Sequence, residues 1–180
     1  LHDAAPGAAI AAQASVAEAI GKLADKGKIS REAFDDTLAR LQPVAALSEL
    51  AQADVVIEAI VEDLAVKKRL FAELEGLVAP DSVLVSNTSS LSVTAIASAC
   101  RHPERVAGYH FFNPVPLMKV VEVIRGARTA TATVETLLAL TRRTGHAPVI
   151  AQDAPGFLIN HAGRGYGTEA LKLVGEGVTD

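Results

Sequence analysis

Two side chains capable of acid–base chemistry lie twelve residues apart in neighbouring apolar segments of the sequence. His110 is near the end of the hydrophobic segment Arg105–Phe112, and Glu122 lies inside Val120–Ile124. Imidazole both takes and gives a proton near neutral pH, and a carboxylate in an apolar strand is costly unless it has a partner. A pair formed between adjacent strands would fix the ring tautomer and stabilise the imidazolium, as in a catalytic triad. The residues alone equally allow a structural ion pair.

A second set of polar residues follows two other apolar segments. The cluster Asn87-Thr88-Ser89-Ser90 comes directly after Ser82–Ser86, and Glu62 and Lys67 follow Asp54–Ile60. Open parallel sheets bind ligands at the carboxyl ends of their strands, so these side chains are candidates for hydrogen bonds to a ligand. The alternatives are a helix start for the serine and threonine residues, which commonly take that role, and ordinary solvated charges for Glu62 and Lys67.

Asp3 and Asn160 each allow a structural and a functional interpretation. The segment Leu1-His2-Asp3 is similar to the end of a strand, where a dinucleotide-binding domain places an acid that contacts the adenosine ribose. The alternative is that Asp3 caps the first helix. Asn160 follows the turn Pro155-Gly156 and either caps the next helix or reaches the site. No Gly-x-Gly-x-x-Gly turn follows a strand, and the glycines of Gly163–Gly167 lie in a helical pattern.

Strand and helix patterns alternate through the middle of the chain, which is typical of βαβ units. The patterns predict strands at Val44–Leu47, Asp54–Ile60, Ser82–Ser86, Arg105–Phe112, Val120–Ile124 and Pro148–Ala151. They predict helices at Ala8–Leu23, after Ser30, after Asp63, and at Ser92–Ala99, Thr131–Thr144 and Phe157–Val174. The expected fold class is therefore α/β, with a Rossmann-like, mostly parallel sheet flanked by helices. The first two helices are expected to form a hairpin.

Composition limits the classes of partner. The 180 residues are 49% hydrophobic and 21% charged, which is typical of a globular protein. A net charge of −4, with no basic stripe among aromatic residues, argues against nucleic-acid binding. No apolar run reaches the ~18 residues that span a bilayer, so no membrane partner is expected. The single cysteine, Cys100, excludes an internal disulfide and favours a cytoplasmic location. No metal site is predicted.

Four blocks of the sequence resemble the 3-hydroxyacyl-CoA dehydrogenase family in their order and spacing. The blocks are Val55–Glu62, Ser86–Leu91, His110–Pro114 continuing through Met118–Val123, and Pro155–Asn160. The resemblance is close from Asp54 to Asn160 and looser at the flanks. It implies an enzyme that oxidises (S)-3-hydroxyacyl-CoA to 3-oxoacyl-CoA with NAD.

The resemblance also implies a domain arrangement. Residues 1–153 would form an NAD-binding domain whose glycine loop lies before residue 1. Residues 154–180 would begin an all-helical C-terminal domain that continues past residue 180, with the full-length protein a homodimer. The helical hairpin near Lys22 to Arg40 resembles the family's projecting arm.

By position, the resemblance implies catalytic roles for four residues. His110 resembles the base that removes the proton of the substrate 3-hydroxyl, and Glu122 resembles its orienting partner. Ser89 resembles the serine that hydrogen-bonds the substrate oxygen near the nicotinamide, and Asn160 resembles the asparagine that completes this site.

Four further residues resemble contacts of the NAD cofactor: Asn87, Glu62 and Lys67, and Asp3 as the ribose-binding acid. Two other functions stay open. One is a related β-hydroxy-acid dehydrogenase that acts on a substrate without CoA. The other is a non-catalytic, crystallin-like structural protein, which a retained set of four catalytic-type residues argues against.

Overall fold

The computed structural model describes residues 1–178, and the chain divides into two compact units, Leu1–Gln52 and Ala53–Asp180. The first unit contains helices α1 (Ala8–Asp25) and α2 (Arg31–Arg40), which contact each other as the predicted hairpin. Ser30 caps α2, because its Oγ accepts the Ala33 N–H at 3.0 Å. The predicted helix after Ser30 and the predicted pair of helices are therefore confirmed.

The predicted strand at Val44–Leu47 is wrong. A short 3-10 helix occupies Leu47–Leu50 instead, and no strand is assigned just before it. The Glu49 carboxylate accepts the Ala45 and Ala46 N–H groups at 2.9 and 2.8 Å. A side chain that satisfies neighbouring backbone donors in this way competes with strand pairing, which explains the difference.

The capping role considered for Asp3 is also wrong. Gly7 precedes α1 and supplies no side-chain cap, whereas the Asp3 Oδ1 accepts the Ala5 N–H at 2.8 Å. Residues 1–3 are not assigned to a strand, although Leu1 exchanges backbone hydrogen bonds with Gln42 and Val44, both at 2.7 Å. Asp3 therefore belongs to a local turn within the first unit.

The second unit is built on a five-stranded sheet whose strands follow one another in space as in sequence. The strands are β1 (Val55–Glu58), β2 (Val83–Ser86), β3 (Val106–Phe111), β4 (Val120–Arg125) and β5 (Ala147–Gln152). The helices are α3 (Leu64–Leu77), α4 (Val93–Ala97), α5 (Thr131–Arg143) and α6 (Ile159–Gly175). All strand pairs are parallel except β3 with β4, which is antiparallel. The α/β class and the mostly parallel, Rossmann-like sheet are confirmed.

The two faces of the sheet follow from the alternation of side chains along each strand. One face packs against α5 in a hydrophobic cluster of Val83, Val85, Ala107, Tyr109, Val121, Val123, Val134 and Leu137. The opposite face of β3 and β4 carries Gly108, His110, Glu122 and Ile124. It is covered by Val93 of α4 and by Phe157. The acid–base pair therefore lies on the face that α4 covers.

None of the helices in residues 1–178 is both long and apolar enough to cross a membrane. The two compact units divide after Gln52, which does not bear on residue 153. The domain boundary predicted near residue 153 therefore stays a prediction.

Gly108 allows α4 to approach the sheet, and its replacement by alanine tests this packing. A Cβ at Gly108 would lie 2.8 Å from both Ile124 Cβ and Val93 Cγ2. Gly108→Ala should therefore lower the free energy of unfolding by about 1–3 kcal/mol, the usual cost of overpacking. Gly76→Ala is the matched control, because a Cβ there meets open space in α3. It should raise the free energy of unfolding by about 0.5–1 kcal/mol. Chemical denaturation that gave equal values for both variants would contradict the packing described.

Candidate active site

His110 and Glu122 are direct partners in the antiparallel register of β3 and β4. The His110 Nδ1 lies 2.7 Å from Glu122 Oε2, and the glutamate is fully buried. Because an ionised carboxylate only accepts hydrogen bonds, this contact favours the neutral tautomer with the proton on Nδ1 and the lone pair on Nε2. Within residues 1–178, Nε2 has no hydrogen-bond partner. This contact fixes the orientation of the imidazole and favours one tautomer of the ring.

The second carboxylate oxygen of Glu122 holds the start of α6. Its Oε1 accepts the N–H groups of Leu158 and Ile159 at 3.0 and 2.8 Å. The first N–H groups of a helix have no partner inside the helix and favour a negative charge. Asn160, the second residue of α6, is thereby positioned by the same carboxylate that orients His110.

Two phenylalanine rings enclose the imidazole of His110. The ring centroid of Phe112 is 4.4 Å away, and that of Phe157 is 5.8 Å away in an edge-on arrangement. Phe157 has a φ of 48°, in the left-handed region that β-carbon-bearing residues seldom adopt. This turn delivers the two backbone N–H groups to Glu122. The sequence pattern predicted that α6 starts at Phe157. The same turn explains why the helix starts at Ile159 instead.

Glu62 organises the polar loop that follows β2. Its Oε1 accepts the Thr88 hydroxyl, the Ser89 N–H at 3.1 Å and the Ser90 hydroxyl at 3.4 Å. Burial by itself raises the pKa of Glu62. The hydrogen bonds from Thr88, Lys67 and the Ser89 amide, together with the Lys67 charge, lower it by more than burial raises it, so the pKa of Glu62 lies below its usual value. Glu62 is a charged acceptor whose side chain is 41% exposed.

Asn87 connects this loop with the strand that carries His110. Its backbone N–H donates to the Glu58 carbonyl at 2.8 Å, and its Oδ1 accepts the Phe111 N–H at 2.9 Å. Because β2 and β3 are parallel neighbours, their carboxyl ends lie at the same edge of the sheet. The polar loop and the end of β3 are thus joined, with the Asn87 amide NH₂ and the exposed Ser89 left to meet a ligand.

Lys67 is not the solvated charge that one interpretation of the sequence allowed. Its side chain is 1% exposed, with Nζ 2.6 Å from Glu58 Oε1, 3.3 Å from Glu62 Oε2 and 3.4 Å from the Ile60 carbonyl. Sequence reasoning missed Glu58, which is equally buried and also accepts the Ser86 hydroxyl at 2.7 Å. The signal was present, because Glu58 is a carboxylate in an apolar strand, as Glu122 is.

The remaining site predictions divide between the two units. Asp3 lies in the first unit, and its contact with ribose stays a prediction. Asn160 is half-buried and does not cap α6, whose N-cap residue is Leu158. Its side chain forms no hydrogen bond within residues 1–178, so its carboxamide is available to a ligand. In the same residues no three His, Cys, Asp or Glu side chains are grouped to hold a metal ion.

Comparison with protein families decides the affiliation of this domain. The family model described as "3-hydroxyacyl-CoA dehydrogenase, NAD binding domain" matches residues 1–154. The chain belongs to this family. The resemblance carried by the four sequence blocks is confirmed, and with it the expectation that NAD is the cofactor of this type of domain.

Similar proteins support the same affiliation. The chain is 49% identical over 153 residues to a 3-hydroxyadipyl-CoA dehydrogenase of Escherichia coli (strain K12), covering 85% of this chain and 32% of the relative. It is 38% identical over 162 residues to a fatty acid oxidation complex subunit alpha of Pseudomonas paraeruginosa, covering 90% of this chain and 23% of the relative. The chain therefore spans about a third or less of these curated relatives.

Solved structures of two family members share the fold. A 3-hydroxybutyryl-CoA dehydrogenase from Escherichia coli K12 substr. MG1655 superposes with a TM-score of 0.96 at 44% identity, covering 99% of this chain and 38% of that one. The (S)-3-hydroxybutyryl-CoA dehydrogenase PaaH1 from Ralstonia eutropha gives a TM-score of 0.91 at 32% identity, covering 98% of this chain and 62% of that one.

The depressed pKa of Glu62 predicts a pH-dependent contribution to stability. A carboxylate whose folded-state pKa lies below the unfolded value of about 4.3 stabilises the fold above that pH, and the stabilisation is lost as pH falls through the folded pKa. Thr88→Val removes one hydrogen bond that lowers this pKa, so carboxyl NMR titration should show the pKa of Glu62 moving upward. The control Thr136→Val, on an exposed face of α5, should leave it in place. If the pKa of Glu62 is the same in Thr88→Val as in the unsubstituted protein, the Thr88 hydrogen bond does not lower it.

Proposed function

We propose that the protein carrying this chain oxidises (S)-3-hydroxyacyl-CoA to 3-oxoacyl-CoA with NAD, using His110 as general base. The observation that carries the proposal is the 2.7 Å contact between His110 Nδ1 and the buried Glu122, which leaves Nε2 as an unpaired acceptor within residues 1–178. The names of the relatives, which include 3-hydroxyadipyl-CoA and (S)-3-hydroxybutyryl-CoA dehydrogenases, support the substrate class and its stereochemistry.

The polar groups at this edge of the sheet fit NAD chemically. Glu62 presents a charged acceptor for ribose hydroxyls, and Asn87 keeps its amide donors free for a carboxamide oxygen. Asp3, which belongs to the first unit and not to this edge, is proposed by its resemblance alone as the acceptor for the adenosine ribose. Lys67 has its N–H groups directed to Glu58, Glu62 and the Ile60 carbonyl, so its proposed role on the cofactor side is exerted through Glu62.

In the proposed reaction, the chain's own residues manage the proton and the oxygen. His110 Nε2 accepts the proton of the substrate 3-hydroxyl, and Glu122 stabilises the imidazolium that results. The Ser89 hydroxyl and the Asn160 amide donate hydrogen bonds to the oxygen as it becomes a carbonyl. NAD, when bound, supplies the acceptor for the hydride that leaves C3.

The homodimer and the cytoplasmic location expected from the sequence are part of this proposal. Helix α6 exposes large apolar side chains, Tyr166 at 84% and Leu171 at 75%, which supports packing against another part of the protein or a second copy.

A dehydrogenase for free β-hydroxy acids is the second candidate function. Assays of 3-hydroxybutyryl-CoA beside free 3-hydroxybutyrate separate the two, since turnover of the free acid alone would replace the CoA proposal.

Replacement of His110 by alanine should lower kcat by about 10²–10⁴-fold, the usual contribution of a general base. The measurement is NADH production in the protein that carries this chain, with (S)-3-hydroxybutyryl-CoA as substrate. His102→Ala, which removes an exposed histidine just before β3, at the opposite end of that strand from His110, is the matched control and should retain kcat within a few-fold. Wild-type turnover in His110→Ala would rule out the base.

Glu122→Gln tests the tautomer. The two N–H groups of α6 require an acceptor, so the glutamine oxygen faces Leu158 and Ile159 and its NH₂ group donates to His110 Nδ1. The ring proton then moves to Nε2, and the base loses its lone pair. We expect kcat to fall by about 10²–10⁴-fold with α6 still in place. Glu73→Gln, an exposed change on α3, is the matched control. Full activity of Glu122→Gln would contradict the mechanism.

A further inference from the structure

Glu58 is a buried carboxylate that the proposed chemistry does not use directly. It is the last residue of β1, and its side chain is 1% exposed. Its Oε1 accepts the Ile60 N–H and the Lys67 ammonium, both at 2.6 Å, and its Oε2 accepts the Ser86 hydroxyl at 2.7 Å. Both oxygens therefore accept hydrogen bonds from neighbouring residues: Ile60 just after β1, Ser86 of β2 and Lys67 of α3. Any effect of Glu58 on a ligand has to pass through these neighbours.

Lys67 is the neighbour that transmits such an effect. Its ammonium is shared between two carboxylates, with Glu58 Oε1 at 2.6 Å and Glu62 Oε2 at 3.3 Å. Glu62 in turn holds the Thr88 hydroxyl and the Ser89 N–H through its other oxygen. A continuous chain of polar contacts therefore runs from the interior of the sheet to the exposed loop after β2.

Stability alone is a weak explanation for this buried pair. Apolar residues of similar volume often replace a buried ion pair without loss of stability, whereas removal of one partner leaves a charge uncompensated. If Glu58 were neutral, the buried Lys67 ammonium would have Glu62 as its only carboxylate partner within this network. Charges attract strongly where water is excluded, so Glu62 would shift toward Lys67 and away from Thr88 and Ser89.

We propose that Glu58 is a positioning residue for the nicotinamide end of the cofactor site: it neutralises Lys67 and so leaves Glu62 free to hold the loop after β2. The inference rests on the proposed function, because Glu62 and Ser89 are the groups proposed to meet cofactor and substrate. Glu58 itself touches neither. Its charge, rather than its hydrogen bonds alone, sets the position of Glu62.

The test compares two ligands in Glu58→Gln, an isosteric change that removes the charge. NADH binding is followed by its fluorescence, and ADP, which lacks the nicotinamide half, is followed by calorimetry, both in the full-length protein that carries this chain. We expect the Kd for NADH to rise about tenfold, as for one displaced charge-assisted hydrogen bond. The Kd for ADP should stay within about twofold, the scatter of independent sites. A structural defect would weaken both ligands.

A double-mutant cycle tests the route through Lys67. In a Lys67→Met background no ammonium competes for Glu62, so Glu58→Gln should change the Kd for NADH by less than about twofold. Glu75→Gln is the matched control, because Glu75 is a largely buried glutamate near the other end of α3 that accepts the Arg101 and His102 N–H groups. It should leave NADH binding unchanged.

The outcomes are distinguishable. Unchanged NADH affinity in Glu58→Gln, equal weakening of ADP, or an undiminished effect in the Lys67→Met background would each overturn the inference while the proposed function stands. An unsubstituted protein that binds no NADH would overturn both. If Glu58→Gln does not fold, the double variant Glu58→Gln/Lys67→Met, which buries no unpaired charge, is measured instead. It should bind NADH within about twofold of the unsubstituted protein, because no ammonium draws Glu62 away from Thr88 and Ser89; a tenfold weakening there would overturn the inference.

Discussion

The buried carboxylate of Glu122 is the constraint on which the rest of the site depends. A charge without solvent contact is costly unless hydrogen-bond donors surround it. Three donors from two directions do so here: His110 Nδ1 and the N–H groups of Leu158 and Ile159. The antiparallel pairing of β3 with β4 places the imidazole opposite the carboxylate. The left-handed turn at Phe157 brings the helix start to the other oxygen. Strand order, turn geometry and the orientation of the His110 imidazole are therefore linked through one side chain.

The two buried glutamates, Glu58 and Glu122, hold different groups at the carboxyl edge of the sheet. Glu122 fixes the His110 imidazole and the helix that carries Asn160, and Glu58 fixes Lys67 beside the loop that carries Ser89. Asn87 joins the two halves, since it is bonded to the end of β1 and to β3. In this unit His110 is bonded to a buried carboxylate, Asn87 to two strands, and Ser89 to the partly exposed Glu62. Preorganisation of this kind places donors before a ligand arrives.

The sequence predicted the sheet well because buried parallel strands appear as continuous apolar runs, whereas their limits depend on backbone hydrogen bonds that composition does not reveal. The segment Asp54–Ile60 pairs only over Val55–Glu58, where the carboxylate begins to accept local N–H groups. The strand predicted at Val44–Leu47 does not form for a related reason, because the Glu49 carboxylate accepts the Ala45 and Ala46 N–H groups. The His110–Glu122 pair was found because a costly carboxylate needs a partner. Glu58 gave the same signal, but its partner lies nine residues away on a helix.

The second function of Glu122 was beyond sequence reasoning. Its contact with Leu158 and Ile159 depends on the positive φ of Phe157, and a phenylalanine gives no sign of that conformation in the sequence. The same turn shifts the start of α6 by two residues from the position that the apolar pattern indicated.

The central claim is that Glu122 holds His110 in the tautomer with the proton on Nδ1, and nitrogen NMR of the imidazole tests it most directly. With ¹⁵N-labelled histidine at a pH where the ring is neutral, the account predicts a protonated Nδ1 and an unprotonated Nε2 for His110, and the opposite assignment in Glu122→Gln. A neutral His110 with its proton on Nε2 in the unsubstituted protein would contradict the account.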